Sequence, residues 1–309
     1  MSQSQVSHGV ERVPVLFVNA YLVDVDPDAR SVGWVLVDTG LAGIGRTLIR
    51  RAAARRYGPD VPPDAIILTH GHFDHSGSAR RLADEWAVPI YTHALELPYV
   101  TGSSAYPPAD PTVGGALAIM SRAFPRGAVD VGRRIEVLPE DGSVPALPGW
   151  TVVHTPGHTP GHISLFRRAD GVLLAGDALA TMNQDSWLTT VTMPRELCPP
   201  PAPMTADWQA ARSSVRRLAQ LSPKTLAAGH GLPMAGSTLP AVVEHFARHF
   251  QEPARGRYVH EPARSGAGGI VSLPPAPPAP VGAGLRGAAV AAGLAAVLLV
   301  IRRSVQRWH

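Results

Sequence analysis

Ala65-Ile66-Ile67-Leu68-Thr69-His70-Gly71-His72-Phe73-Asp74-His75-Ser76-Gly77 runs from four apolar residues straight into three histidines and an aspartate within six positions. The apolar run is too short for a helix of its own and reads as a strand buried on both faces. If the backbone stays extended past Thr69, residues 70, 72 and 74 point the same way, because side chains alternate with period two. His75 follows at the turn into a helix. Imidazoles and a carboxylate at this density are metal-ligand chemistry, and loop exposure or helix capping does not account for all four together.

Three further candidates recur in the same setting downstream. His158 stands in Thr155-Pro156-Gly157-His158 after the apolar stretch Trp150–His154. Asp177 follows Val172–Leu174 in Ala175-Gly176-Asp177, and His230 follows Thr225–Ala227 in Gly229-His230-Gly231. Each lies just past an apolar run and beside glycine, whose missing side chain lets backbone approach a crowded centre.

The periodicity around these points predicts strands over Val13–Asn19, Val35–Asp38, Pro89–Thr92, Trp150–His154, Ile163–Arg167, Val172–Ala175 and Thr225–Ala228. Helices are predicted near Gly45–Tyr57, Ser76–Trp86, Ala206–Leu221 and Leu239–Phe250. Residues 98–130, rich in Pro, Gly and Tyr, read as an insertion. Strands, interleaved helices and strands again suggest two sheets covered by helices.

Composition excludes several classes. The 309 residues are 45% hydrophobic and 17% charged, which rules out a disordered chain or a coiled coil. A single cysteine, Cys198, excludes an internal disulfide and a cysteine-rich zinc site, and reads as structural. The net charge of +4 comes from the tail: five arginines and no acid follow residue 262, leaving residues 1–262 near −1. No basic stripe covers the folded part, so a small molecule rather than nucleic acid is the expected partner.

The stretches VLVDTG (35–40), THGHFDHSG (69–77), HTPGHTPGH (154–162), GDA (176–178) and GHG (229–231) together resemble the metallo-β-lactamase-fold hydrolase superfamily over residues 13–255. The resemblance implies an α+β, four-layer αββα sandwich with a two-metal site at one edge. By that resemblance His70, His72 and His158 hold one metal, Asp74, His75 and His230 the second, and Asp177 bridges them. Asp38 resembles the family's structural aspartate, and His154 and His162 are expected to support ligands or to pack in the core. Imidazole and carboxylate without thiolate suit two zinc ions per chain, with Mn, Fe or Co fitting the same geometry. The family's diiron oxidoreductases carry glutamate where this chain has His72. Its single-iron persulfide dioxygenases use fewer ligands; they are one alternative, and a metal-binding, membrane-tethered protein without hydrolase activity is another.

The implied chemistry is hydrolysis by a hydroxide between the metals, with Asp74 carrying the proton to the leaving group. The glyoxalase II-like and lactonase-like branches are similar in ligand set and size, so a small acyl ester, thioester or lactone is the expected substrate. Apolar residues Leu117–Met120 and Phe124 favour an acyl group. His93, Tyr99 and Tyr106 are weaker candidates for the substrate pocket.

Residues 1–262 are expected to form the hydrolase domain and 263–280, rich in Gly and then Pro, a linker. Residues 281–309 hold an apolar run with a basic end. As a helix, residues 281–301 cover about 31 Å, near the roughly 30 Å of a bilayer core. Arg286 would snorkel near one end, and Arg302, Arg303, Arg307 and Trp308 would meet headgroups. The polar N-terminus lacks an apolar leader segment, so the expectation is a cytoplasmic catalytic domain anchored through this helix. The competing expectation is an Ala-rich terminal helix docked on the domain.

Overall fold

Trp34-Val35-Leu36-Val37 is apolar at every position because each of its faces meets a different core, the pattern of a central strand. A computed structural model describes residues 4–28, 33–125, 129–185 and 194–275. Its first sheet orders β1 (Gln5–Ser7), β2 (Val10–Val15), β3 (Val18–Asp24), β4 (Trp34–Val37), β5 (Ala65–Ile67), β6 (Ile90–Thr92) and β7 (Ile135–Val137) side by side. Strands β1 to β4 are antiparallel and β4 to β7 parallel. The second sheet contains β8 (Trp150–His154), β9 (Ile163–Arg167), β10 (Val172–Gly176), β11 (Thr225–Ala228) and β12 (Met234–Ala235), in the order β12-β11-β10-β9-β8. Only β10 and β11 run parallel there.

Three apolar clusters make four layers. Val35, Val37 and Ile67 face Ile163, Leu165, Val172 and Leu174 between the sheets. Trp34, Leu36 and Ile66, on the other face of the first sheet, pack on Ile49, Ala52 and Ala53 of α1 (Ile44–Tyr57). Helix α2 is a single turn (Phe73–Ser76), and α3 (Ala79–Trp86) adds Leu82 and Ala83 to the same cluster. Two short helices, α4 (Leu97–Val100) and α5 (Gly115–Met120), lie in the predicted insertion. On the far side, Leu173, Ala175 and Leu226 meet Trp208, Val215 and Leu218 of α6 (Trp208–Gln220) and Val243 of α7 (Leu239–Arg248). The αββα sandwich expected from the sequence is the observed architecture.

Parallel strands bring their C-terminal ends to one edge. Asp38 follows β4, Thr69–His75 follow β5, Asp177 follows β10 and His230 follows β11. Ligand-bearing loops at the carboxyl ends of parallel strands are the common arrangement in α/β sheets.

Some expectations change. Val13–Asn19 is not one strand but a tight hairpin: Val15 pairs with Val18, and Leu16 takes φ 62° to make the turn. The chain does not stay extended through Asp74, because Phe73–Ser76 is already helical. Part of the predicted linker is folded: β13 (Arg264–Gly266) and β14 (Gly269–Ser272) form a hairpin, and Tyr99 donates its hydroxyl to Ser265 Oγ at 2.8 Å. The expected apolar helix of 281–301 lies outside the described residues. Among those described, no helix is long and apolar enough to cross a membrane.

Candidate metal centre

Extended backbone at His70 and His72 followed by one helical turn sorts the motif into two directions. His70 and His72 turn toward His158, while Asp74 and His75 turn toward His230. His72 Nδ1 lies 3.0 Å from His70 Nε2 and 2.9 Å from His158 Nε2. On the other side, Asp74 Oδ2 lies 3.6 Å from His230 Nε2 and 4.0 Å from His75 Nε2. Asp177 Oδ2 sits between the trios, 3.5 Å from His158 Nε2, 3.5 Å from His75 Nε2 and 3.2 Å from His230 Nε2. All seven side chains are buried. Glycine at 229 is required: a Cβ there would run into Asp177 Oδ1 and His75 Cε1.

The donor set fits cations better than hydrogen bonds. His72 Nδ1 meets two imidazole nitrogens at once, and a ring nitrogen carries at most one proton. His75 Nε2 and Asp177 Oδ1 are buried without a hydrogen bond, and His75 Nε2 has only longer ion-pair contacts to Asp177 Oδ2 and Asp74 Oδ2. An unsatisfied buried polar atom costs about 1–3 kcal/mol, a cost that a bound cation removes.

The outward-facing atoms are held. Thr69 Oγ1 contacts His70 Nδ1 at 3.1 Å, Asp38 Oδ2 contacts His75 Nδ1 at 2.8 Å, and Thr205 Oγ1 contacts His158 Nδ1 at 3.2 Å. His230 Nδ1 donates to the Phe17 carbonyl at 2.9 Å, so the β2–β3 hairpin tip orients that ring. His162 accepts from Asp177 N at 2.8 Å through Nε2, and its Nδ1 meets Thr155 Oγ1 at 2.8 Å. It supports Asp177.

Electrostatics divides the histidines. Burial, reinforced by neighbouring imidazoles, holds His70 and His158 well below the usual histidine range and His72 at about 3. Neutral imidazole is the ligand form. Burial also opposes charge on His75, but Asp177, Asp38 and Asp74 outweigh it and raise its pKa; Asp177 and Asp74 do the same for His230. Burial raises Asp74, whereas His230 and His75 overcome burial at Asp177 and hold it well below the usual carboxylate range.

The three weaker candidates are engaged elsewhere. His93 Nδ1 accepts from Leu95 N at 3.2 Å as the cap of a 3₁₀ turn, and its ring stacks on His154 at 4.2 Å. Tyr99 is fully buried with its hydroxyl on Ser265. Tyr106 packs against the His72 ring, centroids 4.5 Å apart, but its hydroxyl accepts from Gly71 N and donates to Glu96. The hydroxyls of both tyrosines are thus engaged within the protein. Sequence reading missed Glu96 itself. A lone acid inside apolar Ala94-Leu95-Glu96-Leu97-Pro98 was its only signal.

Comparison with known proteins agrees with this geometry. A profile of the Metallo-beta-lactamase superfamily matches residues 13–230. The probable metallo-hydrolase YflN of Bacillus subtilis (strain 168) is 42% identical over 233 residues, covering 75% of this chain and 87% of its own. The probable metallo-hydrolase YybB of the same organism is 29% identical over 196 residues, covering 63% and 74%. Among solved structures, the metallo-beta-lactamase family protein TTHA1429 from Thermus thermophilus shares the fold at TM-score 0.52 and 23% identity, covering 79% of each chain. The BLEG-1 B3 metallo-beta-lactamase does so at TM-score 0.51 and 24% identity, covering 73% of this chain and 93% of that one. The profile match and the YflN relationship each span most of the chain, and the protein belongs to the metallo-β-lactamase superfamily.

Proposed function

We propose that the protein is a binuclear metal-dependent hydrolase of a small acyl ester, thioester or lactone. The observation that carries this reading is Asp177 Oδ2 lying within 3.5 Å of donors from both trios. Divalent ions held there, zinc by donor type with Mn, Fe or Co as substitutes, supply Lewis acidity and water acidified toward neutral pH.

The chain's own residues do the rest. Asp74, whose pKa burial raises, accepts a proton readily and can return it to a departing oxygen or sulfur. Asp38, Thr69, Thr205 and the Phe17 carbonyl hold the imidazoles in fixed orientations. A cavity of about 410 Å³ lies along the segment that follows Asp177, lined by Ala180, Met182, Leu117 and Trp208 together with Asp185, Gln251 and Glu252.

Elemental analysis of the purified chain is expected to give two metals, and a panel of esters, thioesters and lactones to give turnover that a chelator abolishes. Asp74→Asn, which cannot carry the proton and weakens one trio, is expected to lose at least roughly 10²-fold in rate. Only trace metal after anaerobic reconstitution, or full activity in Asp74→Asn, refutes the assignment. The apolar run 281–301 supports membrane attachment of this enzyme. Full-length protein that stays in the supernatant without detergent refutes that part alone.

A further inference from the structure

Glu96 is wholly buried and reaches two histidine loops that come from different sheets. Oε2 accepts from Gly71 N at 3.0 Å and from the Tyr106 hydroxyl. Oε1 accepts from Thr159 Oγ1 at 2.7 Å and Gly161 N at 2.8 Å. Gly71 separates His70 from His72, Thr159 directly follows His158, and Tyr106 lies on the His72 ring. All four donors are neutral, and together they occupy the carboxylate's hydrogen-bonding capacity. Packing is equally close, since a Cβ at Gly161 would come within 2.8 Å of Glu96 Cγ.

The contacts are one-sided. They fall at Gly71 between His70 and His72, at Tyr106 on the His72 ring, and at Thr159 and Gly161 beside His158; none is made to Asp74, His75 or His230. That second trio is tied down through Asp38 and the Phe17 carbonyl. A general clamp on the fold would have no reason to discriminate between the trios.

We infer that Glu96 is a positioning residue that sets the spacing of His70, His72 and His158, and with it the affinity of that trio alone for a divalent metal. The metal part rests on the metal-centre reading proposed above; the spacing part does not.

Glu96→Gln and Glu96→Ala in the full-length chain separate the two. In chelator-treated protein, imidazole ¹H–¹⁵N spectra are expected to show the His72 and His158 signals shifted and broadened, with those of His75 and His230 unchanged. In a cobalt(II) titration, wild type is expected to bind two ions, and the variants to bind one of them roughly 10–100-fold more weakly, the usual cost of removing a group that orients ligands. Glu96→Gln keeps the size of the side chain and decides the matter if Glu96→Ala fails to fold. Imidazole signals that all move, or none that move, overturn the inference, as does equal weakening of both cobalt ions. Wild type binding fewer than two cobalt ions refutes the metal-centre reading, and the imidazole spectra then still decide whether Glu96 spaces the trio.

Discussion

Asp38 meets three donors at once: Thr69 N and Thr69 Oγ1, each at 2.8 Å, and His75 Nδ1 at 2.8 Å. It thereby places a His75 proton on Nδ1 and turns Nε2 toward Asp177. Asn is nearly the same size and tolerates the φ of 58° that residue 38 adopts, but its NH₂ cannot accept. Asp38→Asn is therefore expected to fold normally by circular dichroism yet bind metal roughly 10–100-fold more weakly in competition with a chromophoric chelator. Residues of the cluster were legible in the sequence because each stands at the exit of an apolar run, where strand period and neighbouring glycine mark it. Glu96 was not legible. Half of its partners are backbone groups, at Gly71 and Gly161, and no spacing in a sequence records a backbone donor 25 or 65 residues away.

Short elements carry the finer geometry. The turn Phe73–Ser76 diverts Asp74 and His75 from the direction of His72, and simple alternation could not foresee that. The β2–β3 hairpin was missed for a related reason: Leu16-Phe17 lacks the Gly or Asn that usually announces such a turn. His93 caps the turn Ala94–Glu96 with a neutral ring nitrogen, and burial first, then stacked His154, lowers its pKa to about 4. The unfolded chain takes up this proton near 6.5, before the folded one does. The stabilisation is thus full above that pH and is lost as pH falls toward 4. His93→Asn retains a capping oxygen without the titration. Its urea midpoint is expected to fall less between pH 7 and pH 4 than that of wild type.

At the scale of the molecule, the central strands β4 to β6 and β8 to β11 and the helices on each face followed from apolar periodicity, because buried strands and amphipathic helices must show it; β1, β7 and β12 did not follow. The limits of the folded part did not follow. Gly- and Pro-rich composition suggested a linker from residue 263, yet Ala263 N bonds Ala206 O at 2.9 Å, and Arg257 Nε donates to the Pro274 carbonyl at 2.9 Å. A chain ending at residue 275 keeps these bonds. One ending at 262 loses these bonds and the contact between Tyr99 and Ser265. At about 1 kcal/mol per bond and roughly 2–4 °C per kcal/mol, it should melt several degrees lower by calorimetry.

Each trio draws donors from both sheets, and this orders events during synthesis. Residues up to 137 complete the first sheet, whereas the second closes only when residue 235 has been made. A growing chain on the ribosome therefore shows His70, His72, Asp74 and His75 to the cell long before His158, Asp177 and His230 exist. Neither trio is present in the half-made protein. A cation that needs all three donors of a trio can be chosen only by the finished sandwich, so selectivity belongs to the closed walls of the fold and not to the nascent peptide.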